Sequence, residues 1–210
     1  MDKSKKPRRR AGSISPDERV QAILEAACAV FLEKGFANAR VEDVAARAGI
    51  AKGTVYLHFA SKEALFEALI SSLALPPLDG LTALLADETG SSADLLRRAI
   101  GIFKDGVLAS ERRHVLRLLL TEGPRFPAIA RFHHDHVVSR AIPMLRAVVA
   151  RGVERGEFAT DALARFPHLF VSPMLLALVW EALFSDIETL DVDGLMNAHL
   201  ELILRAMEPR

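Results

Sequence analysis

From Ser15 to Pro76 the apolar residues recur three and four positions apart, and the pattern is interrupted at two glycines, Gly35 and Gly49. That period belongs to helices. Ser15-Pro16-Asp17-Glu18 offers a capping hydroxyl, a proline at the first helical position and a glutamate at the third. Ile23, Ala26, Ala27, Val30 and Phe31 follow at helical spacing, and Gly35 stops the helix after Lys34. Cys28 lies among alanines and reads as a small buried hydrophobe. Val41 to Ala48 forms a second, short helix with Val44, Ala45 and Ala48 on one face. Gly49 takes positive φ at no steric cost, Ile50 is the apolar residue of the turn, and Lys52 to Phe59 forms a third helix with Val55 and Phe59 four apart. Two short helices on a tight joint, with the small Ala45 permitting close approach, have the layout of a helix-turn-helix. Ser61 caps a longer helix carrying Leu65, Phe66, Leu69 and Ile70, which Pro76-Pro77 is expected to end.

The rest of the chain continues in helical periods. Helices are expected over Leu78–Ala86, from Ser91 or Ser92 to Ala109, from Ser110 to Thr121, from Pro127 to Arg155, from Asp161 to Ser185 and from Asp191 to Met207. The fold class is therefore all-α: a three-helix head, a fourth helix, and a C-terminal helical domain. The expected boundaries are a disordered basic arm over 1–14, a head over 15–75 and a second domain over 76–210. One cysteine excludes an internal disulfide framework. No apolar segment follows the basic start, as a secretory signal would require. The most apolar stretch, Leu169 to Trp180, is about 12 residues, short of the roughly 20 that span a bilayer. These readings favour a soluble, cytoplasmic protein.

The net charge is zero but unevenly placed. Met1–Leu75 holds 12 Lys and Arg against 9 Asp and Glu; the remainder, from totals of 27 and 27, holds 15 against 18. Six of the basic residues fall within Met1–Arg10. A basic arm on a neutral protein suits a polyanion. On a helical wheel of Lys52–Phe59, Val55 and Phe59 mark the inward face, while Gly53 and Leu57 point away with Thr54 and Tyr56 on the flanks. Gly53 allows close backbone approach to DNA. Leu57 and the Thr54 methyl suit a thymine methyl. The Tyr56 and Thr54 hydroxyls suit phosphates. Lys62, beside free N–H groups at a helix start, is a further phosphate candidate. The alternative is an ordinary helical hairpin with one exposed leucine.

The run Val41-Glu-Asp-Val-Ala-Ala-Arg-Ala-Gly-Ile-Ala-Lys-Gly-Thr-Val-Tyr-Leu-His-Phe59, followed by Ser61-Lys-Glu-Ala-Leu65, resembles the TetR family of transcriptional regulators from about Val20 to Ile70. The stretch from Glu122-Gly-Pro-Arg-Phe-Pro onward resembles the family's C-terminal domain more weakly. The resemblance implies a homodimer that binds an operator in double-stranded DNA and, in most members, represses transcription until a small molecule releases it. It places DNA contacts at Lys52, Gly53, Thr54, Tyr56, Leu57, His58 and Lys62. Two positions depart from the pattern. Ala39 stands where the family usually has Thr and Ala51 where it usually has Ser, each forgoing a cap worth about 1 kcal/mol. Arg40 and the basic arm are the candidate replacements.

In the second domain, Pro143 and Pro173 interrupt long apolar helices at the carbonyls of Ser139 and Leu169. Kinks of this kind splay helices and leave cavities. The expected lining is Phe103, Val107, Leu116, Leu120, Phe132, Met144, Phe170 and Met174, with His133, His136 or Arg117 meeting the polar groups of a mostly apolar effector. Plain core packing is the competing reading for each. His133-His-Asp-His136 also invites a metal reading, but helical His pairs are common without metal, and neither metal nor cofactor is expected. An activator or a metal-sensing regulator is the alternative function. The sequence lacks a Gly-x-Ser-x-Gly elbow, a phosphate-binding glycine loop and a His-Glu-x-x-His motif, so an enzyme is not expected. Leu175, Val179, Trp180, Leu195, His199 and Leu202, on the outer faces of the last two helices, are the candidate dimer interface.

Overall fold

The computed structural model describes residues 15–85, 90–110 and 112–209, and these are helix and short connections throughout. The basic arm lies outside the described residues. Helix α1 (Pro16–Asn38) starts on a reciprocal cap: the Glu18 N–H donates to Ser15 Oγ at 3.1 Å and the Ser15 N–H donates to Glu18 Oε2 at 2.7 Å. Those hydrogen bonds favour the ionised carboxylate and hold Glu18 below its ordinary pKa. The α1 backbone breaks direction at Gly35, whose φ of 72° and ψ of 160° suit no side-chain-bearing residue. Helices α2 (Val41–Arg47) and α3 (Lys52–His58) are joined through Gly49, at φ 67°.

Helix α4 runs from Lys62 to Leu85, straight through Pro76-Pro77, where the sequence pattern had placed its end. Proline costs a helix one hydrogen bond and a steric adjustment. Beyond the pair, burial of Leu78 and Leu84 keeps the segment helical, an instance of tertiary packing overriding local preference. Among the described residues, α4 is the one helix long and apolar enough to cross a bilayer. Part of its apolar surface is already engaged in the protein, with Leu65, Phe66, Leu69 and Ile70 all 2% exposed or less.

Two cores lie along α4. The first gathers Phe31 and Phe36 of α1, Val44 of α2, Val55 of α3 and Phe66 of α4. The rings of Phe31, Phe36 and Phe66 meet one another at centroid distances of 5.2 to 5.5 Å. This core is completed from outside the head, by Val115 and Leu118 of α6 (Arg112–Glu122) and Ile129 of α7 (Pro127–His133). Phe126 stands edge-on to Phe36 at 4.8 Å.

The second core joins Leu95, Leu96 and Ile100 of α5 (Ser92–Phe103) to later helices that include α8 (Ser139–Glu154), α10 (His168–Phe184) and α11 (Val192–Met207). Ser91 and Asp191 cap α5 and α11 through Asp94 N–H and Gly194 N–H, at 3.1 and 2.9 Å. Two π-helical turns interrupt this region: π1 (Lys104–Leu108) after α5, and π2 (His134–Val138) between α7 and α8.

The expected single helix from Asp161 to Ser185 is two. A short α9 (Ala162–Arg165) stops at Phe166, whose φ of −123° and ψ of 67° lie outside the helical region. Pro167 follows and disfavours helix at the residue before it. Neither Pro143 nor Pro173 lines the cavity described below. In the α7–π2–α8 rod the departure from α geometry falls at π2, ahead of Pro143. The carbonyl that Pro173 deprives of its N–H, that of Leu169, receives His199 Nε2 at 2.8 Å and Ser172 Oγ at 3.0 Å.

Candidate nucleic-acid interface and effector cavity

Helix α3 is pinned by one residue and otherwise turned outward. Val55 is 1% exposed, Phe59 packs at the edge of the first core, and Leu57, on the opposite side, is 83% exposed. A β-carbon added at Gly53 would meet nothing within 4 Å. Tyr56 and His58 are exposed and Thr54 is half-buried. An apolar side chain standing free among a glycine, two hydroxyls and an imidazole matches the floor of a major groove better than it matches water. Lys52 is held in reserve. Its ammonium pairs with the Glu42 carboxylate of α2 and lies 5.6 Å from the Tyr56 ring centroid. Glu42 raises the Lys52 pKa, and Lys52 lowers that of Glu42. Meeting a phosphate requires Lys52 to exchange partners.

The caps settle differently from the sequence expectation. Arg40, not Ala39, is the N-cap of α2. Its N–H donates to Asp43 Oδ2 at 3.1 Å, and Asp43 also pairs with Lys34 at 2.8 Å. The Arg40 side chain stays exposed. Ala39 is buried against the first core, and its carbonyl is put to use by a neighbour. Ala51 is the N-cap of α3 and supplies no side-chain bond.

Lys62 does not stand free for phosphate as expected. Its Nζ donates to the carbonyls of Phe36, Ala37 and Ala39, at 2.6, 3.2 and 3.0 Å, and sits 4.6 Å from the Phe36 ring centroid. An ammonium has three N–H donors, and all three are committed to the carboxyl end of α1.

A cavity of about 130 Å³ opens between α4, α5, π1, α6 and the α7–π2–α8 rod. Four expected residues line it: Phe103, Val107, Leu116 and His133. The others fall elsewhere, for identifiable reasons. On α6, Arg112, Val115, Leu116 and Leu119 share the cavity face at positions i, i+3, i+4 and i+7. Arg117 turns about 140° from Arg112, and Leu120 is 43% exposed. Phe132 packs at the first core and stacks on His136, ring centroids 4.1 Å apart, while His136 Nδ1 donates to the Phe132 carbonyl at 2.9 Å. Phe170 and Met174 are buried in the second core. Met144 is half-buried outside the cavity wall. Sequence reasoning missed Arg112, although the i, i+3, i+4, i+7 stripe on α6 carries the signal. Burial, and secondarily His134, depresses the His133 pKa. Among the described residues no group of three or more His, Cys, Asp and Glu side chains could hold a metal ion.

Residues 23–69 match the model of bacterial regulatory proteins of the tetR family, and residues 86–191 match the tetracyclin repressor-like C-terminal domain. The chain belongs to the TetR family. It is a DNA-binding transcriptional regulator built on the family's all-α plan. The HTH-type transcriptional repressor KstR2 of Mycobacterium tuberculosis is 33% identical over 151 residues, covering 71% of this chain and 74% of KstR2. YfiR of Bacillus subtilis, described as an HTH-type transcriptional regulator, is 28% identical over 91% of this chain and 95% of its own. Among solved structures, NalD, the secondary repressor of the MexAB-OprM multidrug efflux pump in Pseudomonas aeruginosa, superimposes with a TM-score of 0.70 at 27% identity, covering 92% of this chain and 98% of NalD. FadR of Bacillus subtilis in complex with stearoyl-CoA shares the fold, with a TM-score of 0.70 at 20% identity over 90% of this chain and 99% of FadR.

In this TetR-family chain the last long helices present an apolar stripe. Leu175, Leu176, Val179 and Leu183 of α10 and Leu202 of α11 are all more than 40% exposed. Of the remaining candidates, Leu195 is half-buried against the second core. The Trp180 indole N–H donates to the Glu188 carbonyl at 3.1 Å, and His199 serves Leu169. Leu176 and Leu183, which belong to the same stripe, were not singled out in the sequence.

Proposed function

We propose that the chain is a homodimeric, cytoplasmic repressor of a near-palindromic operator, released when a small, mostly apolar molecule fills the cavity. The observation that carries this reading is the double role of α6. One face of the helix, with Arg112, Val115, Leu116 and Leu119, walls the cavity. Val115 and Leu118 also complete the core on which α3 is mounted. A molecule wedged against α6 strains the seat of the reading head. Pairing through the α10–α11 stripe sets the distance between two α3 helices, about one DNA turn. The contacts assigned to DNA are Gly53, Thr54, Tyr56 and Leu57, with Lys52, Arg40 and His58 at the margins. The proposed division is 1–14 as the arm, 15–75 as the head and 76–210 as the effector and dimerisation domain. FadR of Bacillus subtilis, which shares the fold, was solved in complex with stearoyl-CoA, and that supports a largely apolar effector.

The effector acts only through unequal affinity for two head spacings; a full reversal from 99:1 takes roughly 5.5 kcal/mol. The test uses the DNA preceding the coding region. The purified chain should bind one site there as a dimer by sedimentation and fluorescence anisotropy, and reporter expression should rise when the gene is deleted. A monomer at micromolar concentration, or expression that falls on deletion, sinks the dimeric-repressor reading; the second outcome favours an activator.

A further inference from the structure

Among the described residues the cavity wall is apolar except at two side chains, Arg112 and His133. Arg112 gives one Nη1 donor to the Gly106 carbonyl at 2.9 Å, but its Nε is buried with no partner among the described residues. His133 Nδ1 is buried and equally unpartnered. Among the described residues no acidic side chain lines the cavity. A guanidinium keeps its charge at any working pH. Among the described residues no carboxylate faces that charge across the apolar wall, and a guanidinium nitrogen buried without a partner is costly. An occupant of the cavity is placed to supply that partner.

We infer that the effector carries a single carboxylate, received by Arg112 and His133, with its apolar body between α4, α5 and α6. This rests on the reading of the cavity as the effector site. One guanidinium balances one negative charge; a phosphate dianion would leave a second charge against Val115, Leu116 and Leu119. The planar guanidinium fork also matches a carboxylate in shape. The volume of about 130 Å³ is close to the roughly 150 Å³ of an engineered cavity that admits benzene, so one ring with a short acid arm is the appropriate probe.

The test is calorimetric titration of the full-length protein at neutral pH with 3-phenylpropionate and its uncharged match, 3-phenylpropanol. The acid should bind at least about ten-fold more tightly, the effect of one charge-assisted pair. Arg112→Met should bring the acid down to the level of the alcohol, Arg112→Lys should restore part of the preference, and Leu116→Trp should remove both ligands by filling the space. Melting temperature and operator binding check that each variant is folded; should Arg112→Met fail there, Arg112→Gln takes its place. Equal binding of acid and alcohol, or an acid preference that survives loss of Arg112, overturns the carboxylate while leaving the cavity as an apolar site. Failure of both ligands to bind the unaltered protein removes the cavity reading and the carboxylate together.

Discussion

The Glu122 carboxylate lies 2.9 Å, through Oε1, from the point where a β-carbon on Gly35 would stand. Glu122 ends α6 and is 7% exposed; Gly35 is the bend in α1. The helix that walls the cavity thus touches the DNA-binding head at its one backbone position reserved for glycine by both φ and space. Gly35→Ala should destabilise the protein by about 2 kcal/mol, within the range for a forbidden φ/ψ region. Adding Glu122→Ala should recover only part, because it relieves the contact and not the backbone. Urea denaturation of the four-member cycle measures both parts; full recovery would place the strain wholly in the contact.

Lys62 should behave as a structural residue. Lys62→Met removes three hydrogen bonds from the end of α1 and should lower stability by about 2 kcal/mol, with no change in the salt dependence of operator binding. Lys52→Ala should do the reverse, costing little stability and flattening the slope by about one ion. A flattened slope in Lys62→Met would show that its ammonium leaves α1 for phosphate in the complex.

On α3, Tyr56→Phe should weaken binding by about 1 kcal/mol on every DNA sequence, whereas Leu57→Ala should alter preference at one base pair in each half-site. Anisotropy titrations on single-base operator variants separate the two. A uniform loss for Leu57→Ala would remove it from the groove.

Pro173 and His199 should be coupled. With proline present, His199→Ala withdraws the Nε2 donor from the Leu169 carbonyl and should cost about 1 kcal/mol. In a Pro173→Ala background the restored N–H serves that carbonyl, and the same His199 change should cost much less. Additive thermal shifts would show that His199 matters for some other reason.

His133 makes the protein sensitive to acid. Its pKa is lowered from the ordinary 6.5 by burial, so the fold favours neutral imidazole. This contribution is fully present above the unfolded value near 6.5 and declines as pH falls through the lower folded value. His133→Leu should therefore lose less stability than the unaltered chain between about pH 7 and about pH 5. Parallel melting curves at the two pH values would contradict the assignment.

The sequence made the head readable because three periods, two glycines and two caps all agree there: Ser15, Gly35, Gly49, Val55 and Ser61 stand where their chemistry places them. Leu57 was found from a wheel alone. The body was less legible. Proline was read as a stop at Pro76, but Leu78 is buried past it, and as a cavity-former at Pro143 and Pro173, neither of which lines the cavity. Lys62 looked like a free charge, since carbonyls more than twenty residues away leave no mark in local pattern. Arg112 sat in plain view on the apolar stripe of α6, but its charge argued against looking there.

The first core takes Val115, Leu118 and Ile129 from beyond the head. This bears on how such a regulator can be recombined. A chimaera cut after residue 75, carrying this head onto another body, imports a core with one wall missing, and the new body has to present three apolar residues in the same register. An operator specificity is portable only together with the α6 and α7 surface beneath it, or by exchanging the exposed residues of α3 alone.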